Sequence, residues 1–161
     1  MAERLRIVEI VLDGTTIAAR SPQVAHERRV AIHDLLEGNR FIPAGSWEGP
    51  FRLHLGLAEG RLVLGVAEDG SARTARIVLP LQPFRAVIRD YFAVCDSYYM
   101  AIRTASASRI EAIDVGRRSL HDEGATLLRE RLAAHAEIDG PTARRLFTLL
   151  CTLHFRGEPG R

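Results

Sequence analysis

The sequence predicts an α+β fold, in which helices pack on one face or end of an antiparallel sheet. Apolar residues alternate at a period of two residues ahead of Pro80, and beyond Pro83 they recur at helical spacing. The predicted sheet is an N-terminal strand plus a three-stranded meander, with one N-terminal helix and three C-terminal helices. No repeat or linker interrupts the 161 residues, so we expect one domain with a sheet-and-helix layer over 1–80, a helical layer over 81–156 and a frayed tail over 157–161.

The first two elements are a strand and a helix. The run from Leu5 to Leu12 is rich in β-forming residues and apolar on both faces, which predicts an internal strand. Ser21 suits the N-cap of a helix and Pro22 its first position, while Gly38 ends the apolar pattern. We therefore expect a helix of about four turns between Ser21 and Gly38.

A three-stranded meander follows this helix. Apolar residues alternate with polar or small ones over residues 51–57, and Glu59-Gly60 predicts a two-residue hairpin turn. This turn places three residue pairs opposite each other on the inner face: Leu57 and Leu62, Leu55 and Leu64, and Leu53 and Val66. A second turn near Asp69-Gly70 adds Ala75, Ile77 and Leu79 to that face. The outer face has small residues at its centre and Arg52, His54 and Arg76 at its rim; we expect solvent there, with a phosphate backbone or a second chain as the alternative.

Three helices are predicted after Pro80. The first runs roughly from Gln82 to Arg103 and carries the apolar stripe of a core helix. The second runs from Ser108 to Leu132, because Ser108 and Glu111 match a capping box with serine at the N-cap and glutamate three positions later. The third starts near Asp139 and ends at about Phe155.

The helix over 108–132 carries more charge than packing requires, so we take it as the candidate site. At about 100° per residue, Asp114, Arg118 and His121 share one side. A catalytic interpretation makes His121 a general base or ligand, with Asp114 and Glu123 as its carboxylates. In the same interpretation, Arg117 and Arg118 hold an anion. The alternative is a solvated face, in which ion pairs along the helix contribute only about 0.2 to 0.5 kcal/mol each.

Two further features bear on this helix. Arg144 and Arg145 form a second arginine pair, which would lie near Arg117 and Arg118 if the last two helices are antiparallel. Gly116 and Gly124 each cost about 1 kcal/mol against alanine in a helix interior, which suggests that another helix or a ligand approaches closely.

Composition excludes several chemistries. All 22 basic side chains are arginine, so lysine Schiff bases, a pyridoxal phosphate lysine and a Walker-type lysine cannot occur. No cofactor is expected, and no metal, because the sequence has no His-x-x-x-His, Glu-x-x-His or closely spaced cysteine pair.

Cys95 and Cys151 suit reduced core thiols. No apolar run approaches a membrane span, and we expect a cytoplasmic location with no membrane contact. A net charge of +2 means that any basic patch is local.

Nearly the whole chain resembles a known family. The stretch PFRAVIRDYFAVCDSYYMAIRTASASRIEAIDVGRRSLHDEG, followed by TARRLFTLLC and LHFRG, is similar to the proteobacterial group called uncharacterised protein family 0262. The resemblance extends from the helix with His26, Glu27 and Arg28 to Gly157, and IEAID-GRR with TARRLFTL is its specific part. It implies no particular activity. Members often carry asparagine where this chain has Asp122, which argues against Asp122 as an essential carboxylate.

The residues support two functional hypotheses and a third alternative. The first is a non-enzymatic binding protein whose arginines, Arg117, Arg118, Arg144 and Arg145, contact an acidic partner, with RNA or a ribonucleoprotein ahead of an acidic protein. The second is a small hydrolase or phosphate-ester-binding enzyme with a His/Asp/Arg site on the helix over 108–132. A homo-oligomer with the charged helix as its interface is the third.

Overall fold

The computed structural model describes residues 4–19 and 21–153. Its elements in chain order are β1 (Ile7–Leu12), α1 (Pro22–Glu37), β2 (Phe41–Pro43), β3 (Phe51–Ala58), β4 (Arg61–Glu68), β5 (Thr74–Pro80), α2 (Gln82–Thr104), α3 (Ala107–Leu132), β6 (Ala136–Ile138) and α4 (Gly140–Leu153). The predicted α+β class and its four helices are confirmed. The frayed tail predicted over 157–161, and the predicted end of the last helix at Phe155, lie outside the described residues.

The meander has the predicted register. The main sheet has the order β1-β3-β4-β5, and β4 pairs antiparallel with both β3 and β5. Leu55 pairs with Leu64, and Leu64 pairs in turn with Ile77, so one row of apolar side chains crosses the sheet. At the first hairpin both Glu59 and Gly60 have positive φ, 52° and 75°, as a type I′ turn requires.

The N-terminal strand differs from the prediction in two respects. β1 lies at the edge of the sheet rather than inside it, and it pairs with β3 in parallel. The sheet is therefore mixed, not antiparallel throughout, because α1 intervenes between β1 and β3 and returns the chain in the same direction. Val11 on this edge strand is 46% exposed. Apolar residues on both faces of the run thus do not mean that it has strands on both sides.

A second, two-stranded sheet was not predicted. β2 and β6 pair antiparallel, with Phe41 opposite Ile138. Asn39, between α1 and β2, receives a hydrogen bond from the backbone N–H of Ile7 at 2.7 Å and donates to the carbonyls of Ile7 and Leu35. These contacts tie the end of α1 to the start of β1. Three-residue strands are too short to show a period, so sequence periodicity cannot find them.

The core lies between the inner face of the main sheet and the helices. Leu55, Leu62 and Leu64 of the sheet face Leu128 of α3 and three leucines of α4, which are Leu146, Leu150 and Leu153. Helix α4 packs against both α1 and α3, and α2 packs against α3. The opposite face of the sheet carries an open concavity of about 660 Å³. Arg52, His54 and Arg76 line it and are exposed.

The start of α3 corrects one prediction. Ser106, not Ser108, is the N-cap, and its hydroxyl accepts a hydrogen bond from the backbone N–H of Arg109 at 3.3 Å. Arg109 is therefore the third helical residue, and Glu111 is not part of a capping box. At α1 the predicted cap is confirmed, because the Ser21 hydroxyl accepts from the backbone N–H of Val24 at 3.1 Å.

The two helical glycines of α3 have different environments. A Cβ atom on Gly124 would lie 2.1 Å from Cζ of Phe147, so this glycine permits close packing of α3 on α4. The expectation of a close approach is confirmed there. At Gly116 no other described helix comes close, since an added Cβ would meet nothing within 4 Å, and the approach of a ligand there stays a prediction.

A bilayer requires a long, apolar helix. Over residues 4–19 and 21–153, no helix is both long and apolar enough to pass through a membrane.

Candidate functional site

Three helices form a basic pocket on the side of the molecule that carries α2, α3 and α4. Its volume is about 470 Å³. We call it the arginine pocket, and it is lined by Tyr91 from α2, by Arg117, Arg118, His121 and Asp122 from α3, and by Arg144 and Thr148 from α4. Both arginines of the first pair, Arg117 and Arg118, therefore line the pocket. Of the second pair, only Arg144 does.

The two α3 arginines of the arginine pocket are held by one carboxylate. Asp114 accepts a hydrogen bond from Arg117 at 2.7 Å through Oδ1 and contacts Arg118 at 3.2 Å through Oδ2. The hydrogen bond from Arg117 is the main reason why the pKa of Asp114 lies below its usual range. Arg117 is the more buried of the two, with 31% of its side chain exposed against 62% for Arg118. Asp114 thus holds both arginines through ion pairs and is not among the residues that line the pocket.

His121 is held in place by contacts with α4. Its Nε2 lies 2.7 Å from the hydroxyl of Thr148, and that hydroxyl donates to the carbonyl of Arg144 at 3.0 Å. The threonine hydroxyl has a single proton, so when that proton is donated to the carbonyl of Arg144, Nε2–H is the donor to Thr148 and Nδ1 is the unprotonated nitrogen. Burial lowers the pKa of His121, an effect that Arg117 and Arg144 reinforce and the charge of Asp122 opposes.

Aromatic rings position His121 from two sides. Its ring centroid lies 5.5 Å from that of Tyr91 and 5.3 Å from that of Phe147, with which it makes an edge-to-face contact. Phe147 is fully buried, and its ring occupies the space that Gly124 leaves open. Burial raises the pKa of Tyr91 to about 12, so its hydroxyl stays protonated at neutral pH. The close contact between α3 and α4 therefore fixes the imidazole at the edge of the arginine pocket.

The structure brings together some of the residues singled out from the sequence and separates others. One pocket is lined by Arg117, Arg118, His121 and Arg144. Asp114 lies outside this lining and contacts the first two of these arginines. Glu123 is exposed and does not line the pocket. The guanidinium of Arg145 points elsewhere, to the carbonyl of Gly38, which it contacts at 2.5 Å.

Sequence reasoning missed two residues of the arginine pocket, Tyr91 and Thr148. Thr148 follows Arg144 by four positions and so lies on the same side of α4, a spacing that could have found it. Tyr91 belongs to the apolar stripe of α2, and nothing in the sequence distinguishes it from a core residue.

Neither cysteine forms a disulfide; Cys151 is buried and Cys95 is half-buried. Burial raises the pKa of the Cys151 thiol, so this side chain is neutral and apolar in character at physiological pH. Within the part of the chain that the structure describes, no three histidine, cysteine or acidic side chains cluster closely enough to hold a metal ion.

Comparison with known proteins places the chain in a family. The sequence profile of the Uncharacterised protein family (UPF0262) matches residues 4–156. A UPF0262 protein of Azorhizobium caulinodans is 54% identical over 154 residues, which are 94% of this chain and 95% of that protein. UPF0262 proteins of Rhodopseudomonas palustris and Rhizobium meliloti are each 51% identical, over 94% and 95% of this chain and 93% and 96% of their own length. No solved structure matches the chain. With nearly its whole length matched at about half identity, the chain belongs to the UPF0262 family.

Proposed function

We propose that this protein binds an acidic ligand without chemical turnover, and that the arginine pocket contacts the ligand's anionic group. One observation carries the proposal: guanidinium groups from α3 and α4, Arg117, Arg118 and Arg144, converge on one solvent-accessible concavity. Guanidinium groups form paired, charge-assisted hydrogen bonds with phosphates and carboxylates, and the planar fork gives these bonds their direction.

The charges around the arginine pocket favour an anion. Its three arginines outnumber the nearby carboxylates of Asp114 and Asp122 by one. Among the described residues, the Arg144 side chain has no hydrogen-bond or ion-pair partner. Arg118, although it contacts Asp114, keeps most of its side chain exposed. The guanidinium groups of Arg118 and Arg144 are thus available to a ligand, and neither has to break a buried contact in order to bind it.

The shape of the site favours a small oxyanion over an RNA strand. A strand of RNA is bound along a basic groove with aromatic rings on which its bases stack. Here the three arginines of the site lie around one concavity, Arg145 is engaged with the carbonyl of Gly38, and Tyr91 is half-buried against His121 and Phe147. We therefore place RNA, the first candidate from the sequence, among the outcomes of the test.

The hydrolase alternative has one supporting observation, namely that burial keeps His121 in the neutral form that a general base requires. Two contacts favour binding instead. Nε2 of His121 is engaged with the hydroxyl of Thr148, and Asp114 contacts arginines rather than orienting the imidazole.

The test is a titration of the protein with inorganic phosphate at low ionic strength, followed by calorimetry and by amide NMR shifts. Loss of a charge-assisted hydrogen bond costs about 1.5 to 3 kcal/mol, so Arg144→Gln and Arg118→Gln should each weaken binding by at least about ten-fold. Arg145→Gln is the matched control, because it removes a neighbouring charge outside the pocket.

Three outcomes would overturn the proposal. The first is no phosphate binding even at low salt, where such contacts are strongest. The second is an equal loss in Arg145→Gln and Arg144→Gln. The third is binding of a single-stranded RNA oligonucleotide that depends on Arg145 as much as on Arg144, which would indicate a broad basic surface.

A further inference from the structure

We infer that the ligand is amphiphilic: a soluble molecule with one oxyanionic group, held in the arginine pocket, and one apolar chain, held in an adjoining groove. This inference rests on the proposed function and specifies the chemical class of the ligand. The groove has a volume of about 400 Å³ and lies between α1 and α2, with α4 as its floor. We call it the α1–α2 groove.

The α1–α2 groove presents apolar side chains to solvent. Its lining includes Val24 and Val30 of α1, Phe92 and Tyr99 of α2, and Cys151 of α4. Val30 is 45% exposed and Tyr99 is 60% exposed, which makes them two of the larger apolar side chains that remain in contact with water. An apolar chain in the groove would cover both, and removal of apolar surface from water favours binding.

The groove and the arginine pocket adjoin each other. Tyr91 and Thr148 line both of them. Thr148 contacts His121 on the pocket side, and Tyr91 packs against the same imidazole. An oxyanion on Arg118 and Arg144 therefore lies beside the mouth of the groove, and one molecule can occupy both spaces. From Tyr91 to Tyr99 the α2 wall extends about 12 Å, which leaves room for a chain rather than a single methyl group.

The charges along the two spaces give the ligand its direction. Over residues 4–19 and 21–153, no arginine lines the α1–α2 groove, and the acidic residues Glu27 and Asp34 lie along its α1 wall. An anionic group is thus disfavoured in the groove and favoured at the arginine pocket. A neutral amphiphile would gain only the groove contacts, whereas inorganic phosphate would gain only the contacts with arginine.

The experiment compares inorganic phosphate with octyl phosphate, below the concentration at which octyl phosphate forms micelles. Octyl phosphate should bind at least ten-fold more tightly than inorganic phosphate, a difference of about 1.4 kcal/mol. The double variant Val30→Asn/Tyr99→Asn should remove this advantage and leave the affinity for inorganic phosphate unchanged. The control is Val11→Asn/Val78→Asn, which alters two valines that are 46% and 36% exposed on the main sheet and do not line the groove.

The outcomes separate this inference from the proposed function. If phosphate and octyl phosphate bind equally well, the inference is wrong and the anion site stands. If neither binds, both are wrong. The groove assignment also fails if the double variant retains the advantage of octyl phosphate, or if the Val11 and Val78 control loses it. Binding of octyl phosphate that persists in Arg144→Gln at full strength would contradict the direction assigned to the ligand.

Discussion

His121 shows why single residues of this site could be named from the sequence only in part. Helical spacing places it on the same side of α3 as Asp114 and Arg118, and Arg118 lines the arginine pocket with it. Its partners Thr148 and Tyr91 come from two other helices, however, and their distance depends on how those helices pack. The sequence therefore suggested Asp114 as the group that orients the imidazole, whereas the observed hydrogen-bond partner is a threonine 27 positions further along the chain.

The titration of His121 should report occupancy of the arginine pocket. Burial disfavours the imidazolium form, and a bound oxyanion would favour it, so saturating phosphate should raise the pKa of His121. By linkage, phosphate should bind more tightly as the pH falls through that pKa. NMR titration of the histidine ring protons, with and without phosphate, measures both effects.

His121→Asn should remove the acid-side gain in affinity while phosphate still binds at neutral pH. An imidazole pKa that is the same with and without saturating phosphate would show that the anion binds elsewhere.

Among the helices and strands, the sequence predicted correctly those features that depend on interactions between residues close together in the chain. The meander register followed from alternation and from the Glu59-Gly60 turn, both of which act over a few residues. The start of α3 was misassigned because two serines two positions apart compete for the N-cap, and the backbone, rather than the capping-box pattern, selects Ser106. The short strands β2 and β6 depend on a pairing between residues nearly a hundred positions apart, for which no local signal exists.

The contact between α3 and α4 gives a matched pair of glycine substitutions. Gly124→Ala should destabilise the protein by about 1 to 3 kcal/mol, because its methyl group would overlap the buried ring of Phe147. Gly116→Ala should instead stabilise it by up to about 1 kcal/mol, since an alanine there has open space and a better helix propensity. Urea denaturation followed by circular dichroism measures both.

The same two variants test the link between this packing and the arginine pocket. Phe147 contacts both Gly124 and the ring of His121, so Gly124→Ala should also weaken phosphate binding, and Gly116→Ala should not. Equal stability of the two variants would contradict the close approach at Gly124.

For the whole molecule, the sequence predicted the class of the fold but not the way its parts are joined. The α+β class follows from the change in period near Pro80. The parallel pairing of β1 with β3, and the position of α4 between α1 and α3, are set by tertiary packing. The arginine pocket depends on that packing, because its residues come from three helices.

Acid should destabilise the whole fold through a buried carboxylate that closes the 44–49 loop. Glu68 accepts hydrogen bonds from the backbone N–H groups of Glu48 and Gly49 at 2.7 and 3.1 Å, and these lower its pKa. A carboxylate with a depressed pKa contributes stability above its unfolded-state pKa and loses that contribution as the pH falls through the folded-state value. Stability should therefore decline from about pH 4.3 downward.

Urea denaturation between neutral pH and pH 3 measures this effect. Glu68→Gln should be less stable than the wild type at neutral pH and should lose less stability on acidification. Glu59→Gln, on the exposed hairpin turn, is the control. A Glu68→Gln protein with the same acid dependence as the wild type would show that the loop contacts do not contribute.

The arginine pocket and the α1–α2 groove can form only after helix α4 has been synthesised. This helix supplies Arg144 and Thr148 to the arginine pocket, forms the floor of the α1–α2 groove, and follows every other described element along the chain. During synthesis on the ribosome, a chain that has been made only as far as β6 contains the strands of the main sheet and two of the arginines, but it lacks the residues that α4 supplies to both binding spaces. The ligand would therefore bind only to molecules in which α4 has packed against the other helices, and its binding would stabilise that packing.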